Sequence, residues 1–216
     1  MRGFDASFVE RYRARRAAAA AAGGAPLPDP AEEAARRRAR RVAAPPSPAA
    51  AAGRVRVLGV DTSLRCTGLA IVDADGPAMS FVDCRPIPNP ARRSLPDCLV
   101  NIADTLDAYL DEFRPDEVAM EGIFFCKNAR TSLILGHARG VVVAECARRH
   151  LPVHEYPPAR VKRAVTGTGA ATKDQMRRMM QAVFRLPDLP QEDSADALAI
   201  AMTHLHQRRL AGLRAR

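Results

Sequence analysis

The chain has 216 residues, 47% of them hydrophobic, with 33 Lys and Arg against 24 Asp and Glu and a net charge of +9. That length holds one ordinary domain with its own core plus an appendage, and no apolar run approaches the roughly 18 residues of a membrane-spanning helix. Five cysteines at irregular spacings, without a CxxC pair, argue against a disulfide framework and against structural zinc and for a reducing compartment.

Residues 1–53 contain nineteen Ala, ten Arg and six Pro. Such a composition buries too little apolar surface to offset chain entropy, so a disordered Ala/Arg/Pro-rich arm is expected. Its acids Asp5 and Glu10 and the lack of an apolar stretch exclude a secretory signal, and Glu32 and Glu33 further disfavour a transit peptide. The arm holds ten Arg against five acids, and the other 163 residues hold twenty-three basic against nineteen acidic ones. A basic arm on a mildly basic domain suits a polyanion, nucleic acid first, although Arg runs also serve as plain solvated surface.

The folded domain is expected over 54–207, followed by a basic tail at 208–216. Residues 54–61 and 67–74 are β-branched runs separated by "TSLRC", and "MSFVDCRPI" follows the turn "ADGP". Together they predict a three-stranded antiparallel meander. Leu99, Ile102, Leu106, Tyr109, Leu110 and Phe113 form a helical stripe that Ser94 begins. "PDEVAMEG" predicts a fourth strand, "NARTSLILGHARGVVVAECARRH" a long helix and "LPVHEYPP" a fifth strand. "PARVKRAVTG", "TKDQMRRMMQAVFRL" and the segment from "LPQEDSADALAIAMTHLHQRR" predict three more helices. The sum is an α/β fold, a mixed five-stranded sheet with helices on both faces.

Four acids stand out on this plan. Asp61 ends the first strand and Glu121 the fourth, while Asp193 and Asp196 project from one face of the last helix's first turn. If the helix start faces those strand ends, four carboxylates converge and cannot all stay ionised unless divalent cations neutralise them; hard oxygen donors favour Mg²⁺ or Mn²⁺. The ordinary reading is that Asp193 and Asp196 serve the helix dipole and that Asp61 and Glu121 are turn formers. It is the four together that point to chemistry.

The motifs "VLGVDTSLRCTGLAIVD", "LGHARGV", "EYPPARVKRAVTG" and "DSADALAIA" resemble, in order and spacing, those of the RuvC family of Holliday-junction resolvases. The resemblance spans the folded domain. It implies an RNase H-like fold and a homodimer that uses two Mg²⁺ ions, with Mn²⁺ able to substitute, to nick two opposing strands of four-way junction DNA. It also implies that Asp61, Glu121, Asp193 and Asp196 are the metal-binding catalytic acids, and that the products carry a 5′-phosphate. By the same resemblance Phe124 stacks on bases of the opened junction, with Phe125 beside it in the core, and Lys127, Lys162 and Lys173 meet the DNA backbone. Those are the only Lys in the chain. A branch-migration motor of RuvA and RuvB is implied as partner, and a cytoplasmic, nucleoid-associated location. Thr62 and Ser63 stand where the family usually has Pro-Gly, which alters the turn and leaves the carboxylate in place.

His204 and His206 are expected to be structural or DNA-facing, because His204 lies about 16 Å along the helix from Asp193. Gly136 and Gly140 permit close approach, either of a second subunit or of the sheet. Three other readings compete: a nuclease that uses the same acids on RNA, a catalytically dead DNA-binding scaffold, and an ATP-binding protein of the actin and sugar-kinase superfamily. The last needs a second nucleotide-clasping domain, and "TGTGAATK" lacks the spacing of a phosphate loop.

Overall fold

The computed structural model describes residues 54–122, 128–167, 169 and 171–214. Phe124, Phe125 and Lys127, and the arm expected over 1–53, lie outside these residues.

Strands β1 (Val55–Asp61), β2 (Cys66–Asp75) and β3 (Ala78–Pro88) form the expected meander, each pair antiparallel. Helix α1 (Leu95–Phe113) begins at Ser94, whose side chain accepts from the Asp97 amide, and stops where Arg114 adopts a left-handed conformation. Then come β4 (Glu117–Glu121), α2 (Ala129–Arg148), β5 (Val153–Tyr156), α3 (Pro158–Thr166), α4 (Lys173–Phe184) and α5 (Glu192–Arg214). The Thr172 side chain and the Gln175 side chain close a reciprocal cap on α4, and Gly167 ends α3 with φ of 76°. The last helix runs to Arg214, so the segment expected as a tail from residue 208 is helical that far.

The sheet order is β3-β2-β1-β4-β5, with β4 parallel to β1 and β5 parallel to β4. Strand alternation divides the core in two. Leu58, Val60, Leu69, Ile71, Val118 and Met120 meet Ile102, Leu106, Tyr109, Ala138 and Val142 of α1 and α2. Val57, Ala70, Val72 and Ala119 meet Leu198, Ala201 and Leu205 of α5 and Val161, Met176 and Met180 of α3 and α4.

Two strand glycines let α5 come unusually close. A Cβ on Gly59 would lie 2.1 Å from the Ala197 carbonyl oxygen, and one on Gly68 would lie 1.9 Å from that of Asp193. Any side chain at either position would therefore drive the helix off the sheet. Across β1 and β2, Arg56 donates from Nε and Nη2 to both oxygens of its register partner Asp73 at 2.7 and 2.8 Å, a nearly buried two-pronged ion pair.

Candidate active site

Period-2 alternation decides which face each strand-end acid takes. Val57 and Gly59 face α5 while Leu58 and Val60 face α1 and α2, so Asp61 turns toward α5. Ala119 faces α5 and Met120 the other side, so Glu121 turns toward α5 as well. The parallel register pairs Val60 with Met120, which leaves Asp61 and Glu121 as the next residues on adjacent strands. Asp61 pairs with Gly68 across β1 and β2, and Gly68 is the residue against which the Asp193 backbone rests. The start of α5 is thereby set over the ends of β1 and β4, with Asp193 on its first turn and Asp196 at the start of the second.

The electrostatics record this convergence. The Asp61 carboxyl is pushed up to about 7, first by burial and then by the negative charges of Asp196, Glu121 and Asp193. Glu121 is raised by burial and by Asp196. Asp196 is raised chiefly by burial, against the lowering effect of Lys173 and Lys162. Both lysines thus stand at the rim of the acid group. Lys173, the first residue of α4, forms an ion pair with Glu192, and its own pKa rises mainly for that reason. Their long exposed side chains leave the carboxylates without a buried cationic partner among the described residues.

Several supporting residues carry no signal in the sequence beyond their place in a motif. Arg139, in "LGHARGV", is buried and donates from Nη1 to the Glu121 carbonyl at 2.6 Å, while its Nη2 lies 2.5 Å from Glu155. Gly122 donates to the Tyr156 carbonyl, so the end of β4 is tied to α2 and β5. The Thr67 hydroxyl donates to the Ser63 carbonyl at 2.6 Å and accepts from the Ser63 amide, closing the turn that carries Thr62 and Ser63. Cys66 lies beside Asp193, and burial with that hydrogen bond pushes its thiol up to about 12. The Thr62 hydroxyl, next to Asp61, is buried without a hydrogen-bond partner among the described residues.

His204 is buried, as a structural role requires, between Tyr156 and Glu117 and far from the four acids along α5. Gly136 and Gly140 do not pack on the sheet: a Cβ on either meets nothing within 4 Å. They share an open face of α2 with Leu133, which is 66% exposed.

The family model of the crossover junction endodeoxyribonuclease RuvC matches residues 57–204. The chain belongs to the RuvC family. It is 45% identical over 153 residues to RuvC of Halorhodospira halophila, covering 71% of this chain and 91% of that one. It is 41% identical over 156 residues to RuvC of Pelobacter propionicus, covering 72% and 89%. Among solved structures it is similar to Thermus thermophilus RuvC in complex with Holliday junction substrate, with TM-score 0.68, 28% identity and coverage of 73% and 96%. The yeast mitochondrial resolvase Ydc2 shares the fold at TM-score 0.55 and 14% identity. The RNase H-like α/β architecture expected from the sequence is the one found, and the RuvC family is metal-dependent.

Proposed function

We propose that Asp61, Glu121, Asp193 and Asp196 form the catalytic centre of a Holliday-junction resolving endodeoxyribonuclease. The observation that carries the assignment is their placement: two adjacent parallel strand ends and one helix turn bring four acids from distant parts of the chain to one face of the sheet. The donor set is all oxygen, and the two exposed lysines relieve its mutual repulsion only in part, which fits hard divalent cations, Mg²⁺ or Mn²⁺, and not softer ones. Such ions, when bound, orient the attacking water and neutralise charge on the phosphodiester.

The chain's own groups supply the rest. Burial and the neighbouring acids hold the metal-free Asp61 carboxyl up at about 7, and a bound cation would draw it into its charged form. Arg139 fixes the backbone of Glu121, and Gly68 fixes the height of Asp193 over β1 and β2. Lys162 and Lys173 hold the DNA backbone at the rim, and the family resemblance assigns DNA contacts to Phe124 and Lys127 as well. Binding is then dominated by phosphate contacts and weakens steeply with salt.

A homodimer matches the two-fold symmetry of paired strands. The face of α2 formed by Leu133, Gly136 and Gly140 supports it, since small residues at helical spacing leave room for a partner helix. Leu133→Lys is expected to yield monomers in sedimentation experiments. Cooperation with a RuvA and RuvB motor and a place at the nucleoid follow from the same reading. Among the described residues no helix is long and apolar enough to cross a membrane.

The test is nicking of a synthetic four-way junction and a matched linear duplex, with Mg²⁺ or EDTA, by the intact protein and Asp61→Asn. Paired symmetric nicks in the junction alone, abolished by EDTA and by the substitution, are expected. Cutting of RNA in preference to the junction would overturn the substrate, and undiminished cutting by Asp61→Asn would overturn the centre.

A further inference from the structure

The opposite end of the α5 face holds a second group of ligand atoms. Glu117 opens β4, His154 lies on β5 and His204 on α5, and one ligand atom from each falls within 4.8 Å of the other two. Ala119 pairs with His154, and Ala119 faces α5, so both Glu117 and His154 are turned toward that helix by alternation. Glu121 lies four positions after Glu117 along β4, and His204 eight positions after Asp196 along α5, or about 12 Å along each element. The group is therefore separate from the acid centre.

We infer that Glu117, His154 and His204 form a second metal site, suited to a divalent cation of zinc-like, borderline-soft character. Two imidazoles and one carboxylate make a donor set typical of Zn²⁺, unlike the all-oxygen set at the other end of the helix. The cysteine pattern argued against structural zinc, and this site departs from that expectation because its ligands need no cysteine and become neighbours only when β4, β5 and α5 assemble.

The distances test the idea. Tetrahedral ligands with bonds of about 2.1 Å lie roughly 3.4 Å apart. His154 Nε2 is 3.5 Å from Glu117 Oε2, already at that spacing. His204 Nε2 is 2.7 Å from the same oxygen, a hydrogen bond that has to open by about 0.7 Å to admit an ion between the two atoms. The outer partners are in place. Tyr156 Oη is 2.7 Å from His204 Nδ1 and can take that nitrogen's proton as a hydrogen bond once Nε2 binds metal, so the ring only changes tautomer. Arg208 donates to the other carboxylate oxygen, Oε1, at 2.9 Å and leaves Oε2 to the ion. Burial holds His204 neutral, the form a ligand requires. His154 is 43% exposed, which gives the ion a path in and water a fourth position.

An ion here would clasp the starts of β4 and β5 to the helix whose other end carries Asp193 and Asp196. The experiment is equilibrium dialysis of the full-length, untagged protein against Zn²⁺ with Mg²⁺ in large excess to occupy the acids, together with thermal unfolding. One Zn²⁺ per chain and a raised unfolding midpoint are expected, with both lost in His154→Ala and both retained in Asp61→Asn. Tyr156→Phe should bind about tenfold more weakly, since it removes only the partner that orients His204. Replacement by Co²⁺ should give a visible absorption band that His154→Ala lacks. Failure to retain Zn²⁺, unchanged retention in His154→Ala, or loss in Asp61→Asn would overturn the site, the last by placing the ion on the catalytic acids. Because dialysis needs no DNA, the result is independent of whether the junction is the substrate.

Discussion

Gly68→Ala tests whether the height of α5 over the sheet sets the acid centre. The added Cβ would fall 1.9 Å from the Asp193 carbonyl oxygen, on backbone that no rotamer change can clear. A carbon ordinarily approaches such an oxygen to no less than about 3.3 Å, so the first turn of α5 has to retreat by about 1.4 Å. Overpacking of this kind costs about 1–3 kcal/mol of stability, which a domain of ordinary stability survives. The retreat carries Asp193 away from Asp61 and Glu121, and a misplacement of this size costs about 100-fold in rate, or about 2.7 kcal/mol of barrier. The assay pairs urea denaturation with single-turnover nicking of a four-way junction at saturating Mg²⁺, and junction binding in Ca²⁺ verifies the fold. Gly59→Ala is the comparison: its Cβ meets the Ala197 carbonyl at 2.1 Å, one turn further along the helix from Asp193, so it should cost similar stability and less rate. If Gly68→Ala leaves the rate unchanged, or if the two variants lose rate in the same proportion as stability, close approach at Gly68 does not position the acids.

The pH dependence of stability carries a defined sign. Asp61 holds its proton to about pH 7 in the folded chain against 3.8 ordinarily, so in EDTA folding stability should fall as pH rises from about 4 to 7, by up to about 4 kcal/mol. His204, held neutral by burial, contributes the opposite slope below its ordinary 6.5; the Asp61 share is the difference between wild type and Asp61→Asn, and identical slopes would refute it. Asp73→Ala strands the nearly buried Arg56 guanidinium and should cost about 3–5 kcal/mol in urea denaturation, with junction cleavage intact below the transition. Arg139→Ala leaves the Glu121 carbonyl without its 2.6 Å donor and should cost about 1–3 kcal/mol of stability and lower kcat with KM unchanged, whereas a rise in KM alone would place Arg139 in DNA binding.

The elements were legible because each carries a local rule: alternation in β1 and β2, the Ser94 cap, the apolar stripe of α1 and the left-handed Gly167 after α3. The four acids were legible for a related reason, since strand ends and first helical turns are where a chain can present a carboxylate without burying it whole. The parts that escaped depend on tertiary distance. Nothing local distinguishes Gly68 from any turn-adjacent glycine until the Asp193 backbone is found against it, and Arg139 reads as one more Arg in an Arg-rich chain until its guanidinium reaches the Glu121 carbonyl. His204, expected to be structural or DNA-facing, is buried, but Glu117 and His154 gave no sign of meeting it, because they lie 87 and 50 positions upstream on other elements. One helix joins what was legible to what was not. Its start carries Asp193 and Asp196, its second turn rests on Gly59, and His204 at its middle is hydrogen-bonded to β4 and β5. A displacement at either contact therefore acts on the acids through a rigid lever, and on the proposed assignment the residues that hold α5 down serve that centre as positioning groups.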